Sequence, residues 1–253
     1  MGHLFKIVKS SIWLLFWAVL AVQSANAESA QYPPADEPWD GASYRALLQR
    51  VETRGLALPT LSNVATKQIF DRMVAGDNIP LHMGLNRDLS ITIRFQRLDS
   101  ALDPIHKLAV LYSIETQKGK PYARELASLM VYETKVCAAL LDLSEPYLAT
   151  LKTDKRYQVH VDYLEKVRSD ARQFYSGLVF GATDTQRYSK PDSLRMIKGA
   201  LVALPSYHPI LTDQGRQEIV QKLTQQISTT TDQQMKTALT ELRDTIEHRR
   251  IPT

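Results

Sequence analysis

Segment after segment of this chain places apolar side chains three and four positions apart, and that spacing restricts the fold more than any other feature. A helix turns 100° per residue, so such spacing gathers the apolar groups on one face. Tyr157, Val161, Leu164, Val167, Ala171, Phe174 and Leu178 make one stripe; Ile219, Leu223 and Ile227 make a second; Met235, Leu239, Leu242 and Ile246 make a third. Segments of this kind with short breaks between them predict an all-α protein, an irregular helical bundle or helix pairs stacked as a short solenoid. No repeat of fixed period is visible.

Capping residues, glycines and prolines divide the stripes. Asp40 is placed to cap a helix carrying Tyr44, Leu47, Leu48 and Val51 that ends near Gly55, and a second helix is expected from about Thr60 to Ala75, stopping at Gly76. Asp103 before Pro104 reads as an N-cap with proline at the first helical position, opening a helix to Gln117 that breaks at Lys118-Gly119-Lys120. Pro121 opens the next. With Leu126, Leu129, Met130, Val136, Leu140 and Leu141 it is the expected central buried helix, and Ser144-Glu145-Pro146 restarts a shorter one. Pro191 opens a helix that Pro205 halts, and Thr231 with Gln234 has capping-box spacing at the start of the last. Two segments also alternate at period two, Leu89-Ile91-Ile93-Phe95 and Tyr157-Val159-Val161-Tyr163. A minor two-stranded β element from residues 88–97 and 157–163 is therefore the alternative to helix, which is preferred because two strands alone are marginal in water.

The amino terminus has the form of a cleavable leader: Lys6 and Lys9, an apolar run from Ile12 to Val22, and Ala25-Asn26-Ala27. The run is eleven residues, whereas a bilayer-spanning helix needs about 20, so stable membrane insertion after cleavage is not expected. The predicted organisation is a signal peptide at 1–27, a tether at 28–39 carrying Pro33, Pro34 and Pro38, and one helical domain at 40–253. Two of the 31 basic residues lie in the leader, leaving 29 against 27 acidic ones. That balance shows no concentrated basic face, so nucleic acid is not an expected partner. Cys137 is the only cysteine. No internal disulfide can form, and in an apolar stretch this thiol reads as a small core hydrophobe.

The chain lacks His-Glu-x-x-His, Gly-x-Ser-x-Gly, Ser-x-x-Lys, a phosphate-cradling glycine loop and any cysteine pair. No cofactor is called for, and the mechanisms that use those motifs lose their support. Asp99, Asp103 and His106 would share one face of a continuous helix, with His106 the candidate metal ligand, but an N-cap at Asp103 would break that face. His160, Asp162 and Glu165 cannot converge on a helix; His160 and Asp162 would share a face only on a strand. Glu133 stands in an apolar stretch one turn before Cys137 and is a candidate acid, or else an edge residue paired with Lys or Arg. Tyr207 and His208, in a segment between proline breaks, are candidate binding residues or a packed helix connection. Arg249 and Arg250 are placed to offset the negative end of the last helix.

The expected function is that of an exported protein-interaction module in the periplasm, either an immunity-type inhibitor or an accessory subunit of an envelope assembly, with another envelope protein as partner. The alternatives are a cell-wall or solute-processing hydrolase working through Glu133, Asp99 and Asp103, and a carrier of an apolar ligand.

Overall fold

The structure, a computed structural model, describes residues 39–84, 88–119 and 121–248. The leader, nearly all of the tether, Lys120, Arg249 and Arg250 lie outside the described residues. Within them the chain is all helix: α1 (Gly41–Arg54), α2 (Val64–Met73), α3 (Asn78–His82), α4 (Ile91–Gln117), α5 (Ala123–Thr150), α6 (Tyr157–Ala182), α7 (Lys190–Tyr207), α8 (Asp213–Thr229) and α9 (Gln233–His248). Both segments that alternate at period two are helical apart from Leu89, which precedes α4, since their apolar residues continue at three-and-four spacing along α4 and α6.

α5 is the central element. α4, α6 and α7 all pack on it, α1 lies on α4, and the α8–α9 hairpin closes the far side through α6 and α7. One contiguous core runs from Trp39 to Ile246. Cys137 lies in it with no exposure, and burial pushes its thiol up to about 12. Buried hydroxyls and carboxylates secure the early segments to the long helices. The Tyr112 hydroxyl donates to the Pro59 carbonyl at 2.5 Å, and Glu125 accepts from Thr60 Oγ1 at 2.7 Å and the Leu61 amide at 2.6 Å. The Tyr44 hydroxyl donates to the Met73 carbonyl at 2.7 Å. Each of these bonds satisfies a loop or helix-end group that would otherwise be stranded in the interior.

Asp40 caps α1, accepting from the Ser43 amide at 2.8 Å, and Gly55 ends it at φ 62°. The second helix is shorter than the apolar pattern implies, because Asn63 accepts from the Ala65 amide and starts it at Val64. The last helix is capped one residue later than expected, by Asp232, whose carboxylate accepts from the Met235 amide at 3.0 Å.

Three prolines read as boundaries lie inside helices. Pro104 is in α4, Pro146 in α5 and Pro205 in α7, so neither Asp103 nor Ser144 begins a helix and Pro205 does not end one. A proline within a helix frees the carbonyl four residues back. Pro146 and Pro205 are exposed and so are the faces around them, where water can satisfy the freed group. Pro104 is buried, and there the freed Ser100 carbonyl accepts from Arg45 Nη1 of α1 at 3.0 Å. α1 presses close at the same point: a Cβ on Gly41 would fall 2.4 Å from the Ser100 oxygen.

Candidate functional site: a groove between two long helices

Because Pro104 leaves α4 unbroken, Asp99, Asp103 and His106 do share one face, contrary to the N-cap reading. That face looks across to α6. α4 and α6 both pack on α5 and touch each other where Asp99 meets Tyr163 and His106 meets Phe174, and the space left between them is a groove floored by α5. From Asp99 to Ser113 it follows 15 residues of α4, roughly 21 Å at 1.5 Å per step. At its narrow end, about 200 Å³, the Tyr163 hydroxyl donates to Asp99. Burial and the charge of Asp103 hold the Asp99 carboxyl above its ordinary range, against that hydrogen bond. Asp103 is exposed and pairs with Lys107 at 2.8 Å.

The groove then widens into a cleft of about 650 Å³, within the size range of ligand sites. His106 marks the junction. Its Nδ1 lies 2.8 Å from Oε1 of Glu133, and its ring lies 4.8 Å from that of Phe174. Glu133 therefore pairs with a histidine rather than with Lys or Arg. Its side chain is 6% exposed while that of His106 is 45% exposed, so a buried carboxylate orients an accessible imidazole. The hydrogen bond to Glu133 is the main cause that raises the His106 pKa; burial opposes it, and the charges of Glu133, Asp103 and Asp170 add to it.

α6 contributes Asp170, Phe174, Gly177 and Gly181, at spacings of four, three and four, so all line the cleft. Gly177 lies within the helix, and a Cβ there would meet nothing within 4 Å. A glycine in such a position sacrifices roughly 0.5–1 kcal/mol relative to alanine, with no packing reason inside the molecule. Past α6, the Asp184 carboxylate accepts from the amides of Gln186 and Arg187 at 3.2 and 3.1 Å, which orders the turn. Arg187 is directed to Ser113, reaching its hydroxyl at 3.0 Å, and lies 5.7 Å from the Tyr188 ring centroid. Val110, Ile114 and Phe180 are exposed apolar residues, and Val110 and Phe180 line the cleft.

The other candidates lie elsewhere. Tyr207 ends α7 fully buried, its hydroxyl donating to the Thr134 carbonyl at 3.1 Å and its ring 4.8 Å from Tyr175. His208 is 4% exposed. Neither presents surface to a partner in this conformation. His160 Nδ1 meets the Tyr147 hydroxyl at 3.3 Å, whereas Asp162 takes Gln158 and Glu165 takes Arg168, so these three diverge. Among the described residues no three His, Cys, Asp or Glu side chains converge to hold a metal ion, and no helix is long and apolar enough to cross a membrane.

Sequence reasoning identified Asp99, Asp103 and His106 as one cluster and Glu133 apart from it, and missed Asp170, Phe174 and Gly177 as a group. The spacing of these three with Gly181 is the signal that could have found them. Comparison with protein-family models, with curated proteins and with solved structures finds no match, so the reading of this groove rests on its own chemistry.

Proposed function

We propose that the protein is an exported binding module whose α4–α6 groove receives a segment of another envelope protein, in the manner of an immunity-type inhibitor or an accessory subunit. The observation that carries this reading is the groove itself: two long helices seated on α5 leave a trough between them, apolar where Val110 and Phe180 line it. Amphipathic helices dock in troughs of this kind. Export is inferred from the leader. The wide part of the groove opens to solvent, which does not fit a carrier enclosing an apolar ligand.

Capture from the envelope fraction tests the proposal. The wild-type protein is expected to retain a stoichiometric partner that V110E/F180E loses and V202E, altered at the exposed Val202 outside the cleft, keeps. Equal capture by all three would remove the groove as the binding surface.

A second reading is favoured by one specific feature, the hold of Glu133 on His106 Nδ1. An imidazole fixed in this way can take a proton from water through its other nitrogen, as a hydrolase requires. Turnover of a panel of ester, amide and glycoside substrates that H106N abolishes would support it. Identical background rates in wild type and H106N would exclude it.

A further inference from the structure

We propose that the partner segment enters the groove with a lysine or arginine side chain flanked by apolar residues, and that this cation docks at Asp170 beside Phe174. The inference rests on the groove reading above and specifies the chemistry of the occupant.

The argument is one of charge complementarity within an apolar trough. The other acids along the groove are engaged: Glu133 with His106, Asp103 with Lys107, Asp99 with Tyr163, and Asp184 with two backbone amides. Asp170 is half-buried, lines both the narrow and the wide part, and has no hydrogen bond or ion pair among the described residues. Lys166, one turn earlier on the same helix, makes no ion pair with it there, and Arg187 is directed to Ser113 at the far end. With His106 protonated, Glu133, Asp170 and His106 still sum to one negative charge, and with His106 neutral to two.

A neutral apolar segment laid over Asp170 would strip its carboxylate of water and return nothing. An acidic segment would add repulsion. A basic side chain replaces the lost water with a charge-assisted hydrogen bond, and the Phe174 face beside it adds a cation–π contact. Val110 and Phe180, further along the wide cleft, supply apolar surface for the residues that follow the basic one. The groove therefore selects by penalising the wrong occupants as well as by attracting the right one.

Selection of a displayed library of random 14-residue amphipathic helical peptides on the immobilised protein tests this. The expected result is enrichment of one lysine or arginine at a fixed position among apolar residues. Binding of the selected peptides should fall about tenfold or more in D170N, and equally when that basic residue becomes norleucine, as loss of a charged hydrogen bond implies. The thermal unfolding temperature of D170N confirms that the variant is folded. Selected peptides that lack a basic residue, or that D170N binds as well as wild type does, overturn the inference while leaving the groove reading intact if V110E/F180E abolishes their binding. Absence of any enriched peptide, or peptides indifferent to V110E/F180E, sinks both.

Discussion

Replacing Gly177 by alanine should raise stability and sharpen the case for the groove. Glycine within a helix leaves more backbone freedom to lose on folding and is less favourable than alanine by about 1 kcal/mol. That gain is kept only where the new methyl group meets no obstacle, and over Gly177 there is nothing within 4 Å. For a chain of this size about 1 kcal/mol corresponds to roughly 2–4 °C in unfolding temperature, readable by circular dichroism at 222 nm. Two neighbouring glycines provide the scale. At Gly181 a Cβ would lie 2.6 Å from Met196 Cε, the far end of a flexible side chain, so G181A is expected near neutrality. At Gly199 it would lie 2.9 and 3.0 Å from the two γ-methyls of Val131, a stiff β-branched side chain, so G199A is expected to destabilise. The bulkier G177L should remain folded yet lose the captured partner, because its side chain fills the cleft. A G177A variant that unfolds at lower temperature than wild type would refute the reasoning, since something must then occupy the space that the structure leaves open.

Other consequences are equally direct. G41A should destabilise by about 1–3 kcal/mol, the usual range for overpacking, because the Cβ meets the backbone oxygen of Ser100 at 2.4 Å rather than a movable side chain; chemical denaturation measures it. The His106 pKa, followed by NMR, should lie above the ordinary histidine value in wild type and fall in E133Q. Since folding favours the imidazolium, the contribution of that pair to stability is fully present below the ordinary histidine pKa and is lost as pH rises through the raised one. His82 acts in the opposite sense: burial lowers its pKa, so its contribution is present above the ordinary value and is lost as pH falls through the lowered one. H82N should therefore flatten the acid side of the stability profile and E133Q the alkaline side. The Cys137 thiol, buried and pushed up to about 12, should resist a thiol reagent in the native protein and react on unfolding.

Helix positions were legible because three-and-four spacing is a local signal that the core then uses directly: Leu164, Val167, Ala171 and Leu178 are all buried on the predicted face of α6. The prolines were misread for a reason that no local pattern carries. The carbonyl that Pro104 frees, that of Ser100, is met by Arg45, 55 residues earlier. α4 runs on through Pro104, and with the helix unbroken Asp99, Asp103 and His106 share one face. Glu133 was recognisable as an anomaly in an apolar run, but its partner lies 27 residues away on another helix. The grouping of Asp170, Phe174 and Gly177 was visible as spacing. Its meaning required knowing that α4 and α6 lie side by side on α5 and leave a groove between them.

Amide hydrogen exchange of the protein alone and with its captured envelope partner tests the central claim most directly. The account predicts added protection along α4 from Asp99 to Ser113 and along α6 from Tyr163 to Gly181, the two walls of the groove. Protection confined to the α8–α9 hairpin, with the walls unchanged, would contradict it.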